Sequence, residues 1–125
     1  MDLPHIPCLR QGVPYVSLNQ NDVKDYRNQQ PLATVSQVNA GVVKRDLKRV
    51  GEARAALKKL TVEELIAISA KAGEAFLNGN LPLGDQGHMQ SADDYVATLS
   101  STSGLPYIMV RRNMTKIHHA LTNMR

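Results

Sequence analysis

The chain has 125 residues, of which 42% are apolar, with one phenylalanine, four tyrosines and no tryptophan, so it can bury a modest aliphatic core in a single domain. Its 15 Lys and Arg residues against 11 Asp and Glu residues give a net charge of +4, which is too mild to indicate nucleic acid or an acidic membrane as a partner. The single cysteine, Cys8, excludes an internal disulfide framework and a multi-cysteine zinc module, and it favours a cytoplasmic location.

The sequence contains no segment typical of membrane insertion or export. No stretch reaches the ~20 apolar residues that a membrane-spanning helix needs. The first residues, Met1-Asp2-Leu3-Pro4-His5, lack the basic and apolar regions of a signal peptide. We therefore expect an unprocessed chain and no membrane partner.

Residues 1–38 are predicted to be extended. Four of the six prolines fall here, and the short apolar runs are broken by Asn, Gln and Gly, which is typical of strands and turns. We expect strands near residues 14–18, 23–26 and 32–36, with the polar residues 27–31 joining the last two as a hairpin. Because an isolated two-stranded ribbon is marginal in water, this hairpin should pack onto another part of the protein.

Residues 39–125 are predicted to be helical. Asn39 is a suitable N-cap, and an apolar stripe with helical spacing follows it, which indicates one amphipathic helix of roughly five turns. A second helix begins at Thr61, where Thr61 and Glu64 can form a capping box, and it ends at 78–80. The apolar stripe of the first helix is Val43, Leu47, Val50 and Leu57, and the stripe expected to be buried in the second is Leu65, Ile68, Ala72 and Phe76.

The last third of the chain predicts a loop and two further helices. Residues 81–90 hold Pro82, Gly84 and Gly87 without periodicity, which indicates a surface loop. The third helix begins at Ser91 and is expected to be buried through Tyr95, Val96 and Leu99, before residues 100–106 end it. The fourth has apolar residues at helical spacing: Val110, Met114, Ile117, Leu121 and Met124. It has no stop signal before Arg125, from which we expect the natural chain to continue.

The candidate reactive residues do not combine into an active site. Cys8 lies in extended chain without the cation or helix N-terminus that activates a thiol. His118 and His119 are adjacent on a helix and point about 100° apart, so they cannot bind one metal ion from the same face. The electrostatics of a helix N-terminus account for Asp93 and Asp94. Residues 83–87 hold two glycines but lack the spacing of a phosphate-binding loop. We therefore assign no catalytic, cofactor-binding or metal-binding residue.

The fourth helix carries the residues Arg111, Arg112, Lys116 and Arg125 and no acid. A basic helix can contact phosphate, but no aromatic residues are interleaved with these charges. Most such runs are solvated faces or subunit contacts, so nucleic acid is not the expected partner.

The order of the elements resembles the N-terminal region of the aldehyde dehydrogenase superfamily, from about Leu9 to Arg125. The resemblance is carried by the segments 12–15, 23–26, 31–36, 51–57, 60–66 and 97–106. Three segments depart from the family pattern: 26–30 replaces a turn with the sequence Asn-Pro-Ala-Thr-Gly, Thr102-Ser103 replaces Glu-Thr, and the loop 79–90 is longer. These departures leave the branch of the family and the aldehyde open.

The resemblance implies an α+β segment, a hairpin followed by about four helices, within an α/β Rossmann-type domain. It implies an enzyme that oxidises an aldehyde with NAD or NADP through a cysteine thioester, or a related acyl-CoA reductase. The family's catalytic cysteine, glutamate and cofactor-binding turn lie beyond residue 125, and Cys8 does not match the motif. This segment would then be an inactive scaffold whose partner is the rest of its own chain, in an enzyme that forms homo-oligomers.

The residues also permit a different interpretation. The chain can be a complete small binding module whose basic fourth helix docks on an acidic partner or nucleic acid. Such a module should fold cooperatively and bind with a strong salt dependence.

Overall fold

The computed structural model describes residues 2–124; Met1 and Arg125, which entered the sequence analysis, lie outside the described residues. The fold is α+β, as predicted. In chain order the elements are β1 (His5–Ile6), β2 (Cys8–Arg10), β3 (Val13–Tyr15), β4 (Gln20–Lys24), β5 (Pro31–Ser36), α1 (Ala40–Leu47), α2 (Val50–Leu57), α3 (Val62–Asn78), β6 (Leu81–Leu83), β7 (His88–Gln90), α4 (Ala92–Ser103) and α5 (Tyr107–Thr122).

The largest sheet has three strands in the order β1-β5-β4. Strands β4 and β5 form the predicted antiparallel hairpin, and β1 pairs parallel to β5 with His5 opposite Thr34. The strand predicted at 23–26 starts and ends earlier, because the backbone turns at Asp25, whose N–H donates to the Gln30 carbonyl at 2.9 Å. The first layer of the fold is therefore a hairpin extended by the N-terminal strand.

Two small hairpins were not predicted as such. The strand expected at 14–18 is confined to β3, which pairs with β2 across a turn with positive φ at Gln11 and Gly12. The region predicted as a loop at 81–90 contains β6 and β7, an antiparallel pair whose turn has positive φ at Gly84 and Gly87. Strands of three residues show too little alternation to stand out in a sequence.

The predicted five-turn helix is two helices. Helix α1 is capped by the Asn39 side chain, which accepts from the Val42 N–H as expected, but it ends at Leu47. At the break, Arg49 N–H donates to the Asp46 carbonyl at 3.0 Å in a tight turn, and α2 restarts at Val50. Gly51 follows at once, and glycine weakens a continuous helix by about 1 kcal/mol relative to alanine.

Helix α3 begins with the predicted capping box, in which the Thr61 hydroxyl and the Glu64 carboxylate each accept from the other's backbone N–H. The predicted stripe was partly wrong, because Ile68 is 53% exposed and Ala72 is also exposed. The buried residue is Gly73, which lies against α5: a Cβ there would come within 3.1 Å of the Leu121 Cβ. Because glycine has no side chain, the contact between α3 and α5 at Gly73 leaves no hydrophobic pattern in the sequence.

The core lies where α3, α4 and α5 meet. Its fully buried apolar residues among those described are Val96, Val110 and Met114. Phe76 and Tyr95 pack edge to face beside them, with ring centroids 5.4 Å apart. The predicted Ser91 cap of α4 is confirmed, since its hydroxyl accepts from the Asp94 N–H; the helix runs on to Ser103, inside the segment 100–106 predicted to end it, and Gly104 ends it with φ of +79°. This core is small for the length of the chain.

Across residues 2–124, the helices are too short or too polar for any of them to cross a bilayer.

Candidate interaction surface

A groove of about 400 Å³ separates the β2–β3 hairpin from helices α1 and α2. We call it the hairpin groove. Its lining is mostly aliphatic and includes three charged side chains: Cys8, Leu9, Arg10, Gln11, Val38, Val42, Val43, Asp46, Leu47, Arg49, Val50 and Ala53. The groove lies apart from the core formed by α3, α4 and α5.

An ion pair fixes the width of the hairpin groove. The Arg10 guanidinium donates to both carboxylate oxygens of Asp46, at 2.8 Å from Nε and 2.7 Å from Nη2, and lies 5.0 Å from the centroid of the Tyr15 ring. This bidentate ion pair joins the β2–β3 hairpin to α1. Hydrogen bonding to Arg10 lowers the pKa of Asp46 from its ordinary value.

The helices beside the groove expose the apolar stripe that the sequence predicted. No residue of α1 or α2 is buried, and Val43, Leu47, Val50 and Leu57 are 45%, 59%, 59% and 58% exposed. A stripe of this kind on a small domain marks a surface that contacts another surface. The sequence correctly predicted the helical spacing of this stripe, and the described part of the chain does not bury it.

Cys8 lies at the floor of the groove and is half-buried. Its Sγ lies 3.1 Å from the Ser36 carbonyl oxygen and donates to it. Neither a helix N-terminus nor a cation contacts the sulfur in the described hydrogen bonds. The thiol therefore serves as a packing group that joins β2 to the end of β5.

A buried polar cluster that sequence reasoning missed lies behind the groove. His5 Nδ1 is 2.9 and 3.0 Å from the two Asp85 carboxylate oxygens, and His5 Nε2 is 2.9 Å from Ser36 Oγ. Ser36 Oγ in turn accepts from the Ser17 N–H at 3.0 Å. One proton arrangement satisfies the whole cluster: Ser17 N–H donates to Ser36 Oγ, Ser36 Oγ–H donates to His5 Nε2, and His5 Nδ1–H donates to Asp85.

This cluster has the order of a Ser-His-Asp relay but not its accessibility. Ser36 is 3% exposed and His5 is 5% exposed, and Ser36 lines none of the clefts described here. A nucleophile must reach its substrate, so the geometry favours a structural role. The cluster ties β1, the end of β5 and the β6–β7 turn together across a sequence separation of 80 residues.

The other residues singled out by sequence lie in surface contacts. His118 Nε2 is 2.7 Å from the Glu74 carboxylate on α3, and Arg111 donates to Asp93 at 2.9 Å on α4. Asp94 caps its own helix, with its pKa lowered by the Ser91 hydrogen bonds. No three His, Cys, Asp or Glu side chains of residues 2–124 cluster as a metal site would.

Among the described carboxylates, Asp25 has the most strongly shifted pKa. Its side chain is 7% exposed, and Arg27 donates to it from Nη2 at 2.6 Å, from Nε at 3.0 Å and from the backbone N–H at 2.8 Å. The Arg27 side chain first, and the Arg27 N–H second, lower the pKa of Asp25 to about 2. The folded state therefore holds this group ionised far more strongly than an unfolded chain does.

This perturbation predicts a pH dependence of stability. Because the folded pKa lies below the unfolded value of about 3.9, the stabilisation from Asp25 is complete above about pH 4 and is lost as the pH falls towards 2. The Asp25→Asn variant should melt at a lower temperature than wild type at pH 7, and its melting temperature should fall less between pH 4 and pH 2. Circular-dichroism melts at each pH measure this. An Asp22→Asn control, which changes an exposed carboxylate on β4, should follow the wild-type profile; equal slopes for Asp25→Asn and wild type would contradict the assignment.

Comparisons of the chain with protein-family models, with curated proteins and with solved structures find no match.

Proposed function

We propose that this chain is the N-terminal scaffold of an NAD(P)-dependent, aldehyde dehydrogenase-like enzyme, in which the hairpin groove and the helices beside it pack against a cofactor-binding α/β domain. The proposal starts from the resemblance of the sequence over about residues 9–125. The observation that carries it is the absence of any buried residue in α1 and α2, although both are amphipathic. The activity, the cytoplasmic location and the homo-oligomeric state of the whole enzyme belong to this proposal.

The energetics favour a large apolar partner for α1 and α2. Burying a Val or Leu side chain completely stabilises a fold by about 1.5–3 kcal/mol relative to leaving it exposed. Four such side chains here remain about half exposed, which leaves several kcal/mol of stabilisation unrealised in this chain. A mostly parallel sheet, which needs helices over both faces, is a surface that such a stripe can cover.

The described residues of this chain do not fit a dinucleotide-binding site. Gly84 and Gly87 belong to the tight turn of the β6–β7 hairpin, which packs on the His5 carbonyl. The helix that follows carries Asp93 and Asp94 in its first turn. Those carboxylates oppose a diphosphate at that helix N-terminus. In the proposed enzyme, cofactor and substrate are held by other parts of the protein.

The first test is the coding sequence after Arg125. The proposal expects an apolar stretch with a cysteine, and a glycine-rich turn between a strand and a helix. A reading frame that lacks both features would overturn it.

A kinetic test uses the purified 125-residue chain. With NAD or NADP and a panel of short aldehydes, it should form no reduced cofactor, measured by absorbance. Turnover that disappears in a Cys8→Ala variant would contradict the scaffold role, since it would make Cys8 a nucleophile.

A second candidate function is a binding module for an acidic protein surface, and one observation favours it. The basic helix α5, on which the sequence located such a contact, buries Val110 and Met114 in the core, and its Arg111 pairs with Asp93. The exposed basic amphipathic segment is instead α1–α2, where several cations accompany the apolar stripe: Lys44, Arg45, Lys48, Arg54, Lys58 and Lys59.

The two candidates differ in salt dependence. A charge-driven module should bind immobilised poly-glutamate at low ionic strength and lose most of that affinity near physiological salt, because exposed charges are screened within about 8 Å. An apolar scaffold contact should be insensitive to salt. If the chain is a charge-driven binding module, the double variant Lys48→Glu, Lys58→Glu should abolish retention by poly-glutamate. The variant Leu47→Ser makes the corresponding change in the apolar stripe.

A further inference from the structure

A second cleft, of about 340 Å³, lies between the three-stranded sheet and helix α4. We propose that this sheet–helix cleft binds an uncharged, mainly apolar small molecule. The inference does not depend on the proposed oxidoreductase, because no residue of α1 or α2 lines this cleft and none of its lining residues lines the hairpin groove.

The main sheet, helix α4 and strand β6 form the walls of the sheet–helix cleft. Val23 and Ala33, which are directly opposite each other in the β4–β5 register, supply the sheet wall. Tyr95 and Leu99, one helical turn apart on α4, supply the facing wall. Leu83 of β6 closes one side. The volume falls at the lower end of the range of about 300–1,000 Å³ that is typical of ligand pockets.

The lining sets the chemistry of the ligand. Among residues 2–124, no charged side chain lines this cleft, in contrast to the hairpin groove with Arg10, Asp46 and Arg49. A charged ligand would lose its hydration here without an ionic partner, which is costly. The amide of Gln90 and the hydroxyls of Tyr95, Thr98 and Thr102 are the polar side-chain groups of the lining residues, and the Thr102 hydroxyl donates to the Thr98 carbonyl at 3.0 Å. A neutral molecule with an apolar body and one or two hydrogen-bonding groups fits this lining.

Hydrogen bonds on two sides hold the walls at a fixed spacing. On one side, the Tyr26 N–H donates to the Ser101 carbonyl and Arg27 Nη2 donates to Ser101 Oγ, each at 2.9 Å, which ties the hairpin to α4. On the other, His5 bonds Asp85, which ties β1 to the β6–β7 hairpin. These ties oppose closure of the sheet onto the helix. A preformed pocket lowers the ordering cost of binding, and this is why the cleft is a site rather than a packing gap.

The test uses a matched pair of fluorescent probes on the full chain. N-phenyl-1-naphthylamine is neutral, whereas 1-anilinonaphthalene-8-sulfonate has the same aromatic body with a sulfonate. We expect saturable binding of the neutral probe with one site per chain, and at least ~10-fold weaker binding of the sulfonate, since a tenfold change in Kd needs only about 1.4 kcal/mol.

Matched substitutions locate the site. Ala33→Phe fills the cleft from the sheet and should weaken the neutral probe at least ~10-fold, while Ala53→Phe makes the same change in the hairpin groove and should alter binding less than about twofold. Circular dichroism checks that each variant is folded. Should Ala33→Phe fail to fold, Thr98→Trp closes the cleft from the exposed side of α4 and should have the same effect.

Three results would overturn the proposal: no saturable binding of the neutral probe, equal affinity for the sulfonate, or a folded cleft-filling variant that binds like wild type. A loss with Ala53→Phe alone would place the probe in the hairpin groove and would likewise reject the sheet–helix cleft.

Discussion

Replacing Met114 with alanine is expected to lower the free energy of unfolding by about 3 kcal/mol, within the range of about 2–5 kcal/mol for a buried Met or Leu truncation. Met114 is 3% exposed and lies between Val96 and Val110 at the meeting point of α3, α4 and α5. The described core has few other fully buried side chains, so its neighbours cannot easily close the cavity. Because domains are stable by only about 5–15 kcal/mol, this one change should be severe.

The control for Met114→Ala is the same substitution on the same helix. Met109 is 43% exposed near the start of α5, so Met109→Ala should change the unfolding free energy by less than about 0.5 kcal/mol. Urea denaturation followed by circular dichroism measures both. Similar midpoints for the two variants would show that the three-helix contact is not the stabilising centre of this chain.

Replacing Gly84 with alanine is expected to destabilise the fold by about 3 kcal/mol or more, through two separate causes. Gly84 has φ of +72°, and a side chain in that region costs about 1–2 kcal/mol. An added Cβ would also overlap the carbonyl oxygen of His5, which is backbone and cannot turn away. Relieving that overlap shifts the β6–β7 turn away from β1, at a further cost of about 1–3 kcal/mol.

Gly87 separates the two causes. It has φ of +79° in the same turn, and an added Cβ there meets nothing within 4 Å. Gly87→Ala should therefore show the conformational cost alone, and the difference between the two variants measures the contact with His5. Gly84→Ala should also weaken the neighbouring hydrogen bonds between His5 and Asp85, which histidine NMR shifts report. Equal destabilisation by both variants would contradict the close approach.

Local signals in the sequence predicted the helices well where caps were present. The capping residues Thr61 and Ser91 and the terminator Gly104 fix the ends of α3 and α4, because each acts on backbone groups within four residues. The break at Lys48–Arg49 was missed, since the apolar stripe continues across it in register. A pattern of period 3.6 reports which side is apolar but not whether the hydrogen-bond ladder is continuous.

The sites were predicted poorly because their parts are far apart in the chain. His5, Ser36 and Asp85 carry no recognisable spacing, and only the meeting of β1, β5 and the β6–β7 turn brings them together. The sheet–helix cleft depends on the distance between Ala33 and Leu99, which no local pattern encodes. The aldehyde dehydrogenase assignment remains a proposal, since it rests on the order of elements and on exposed apolar residues.

The free edge of the main sheet limits how copies of this protein can associate. Among the described residues, β4 is an edge strand that pairs only with β5; it carries the exposed residues Asp22 and Lys24, and its register shifts between Val23 and Lys24. Charge and irregularity at an edge discourage strand-by-strand stacking of chains. Aggregation of concentrated samples should therefore occur through the exposed apolar residues of the helices. Mild detergent should disperse such aggregates, and thioflavin dyes should not stain them.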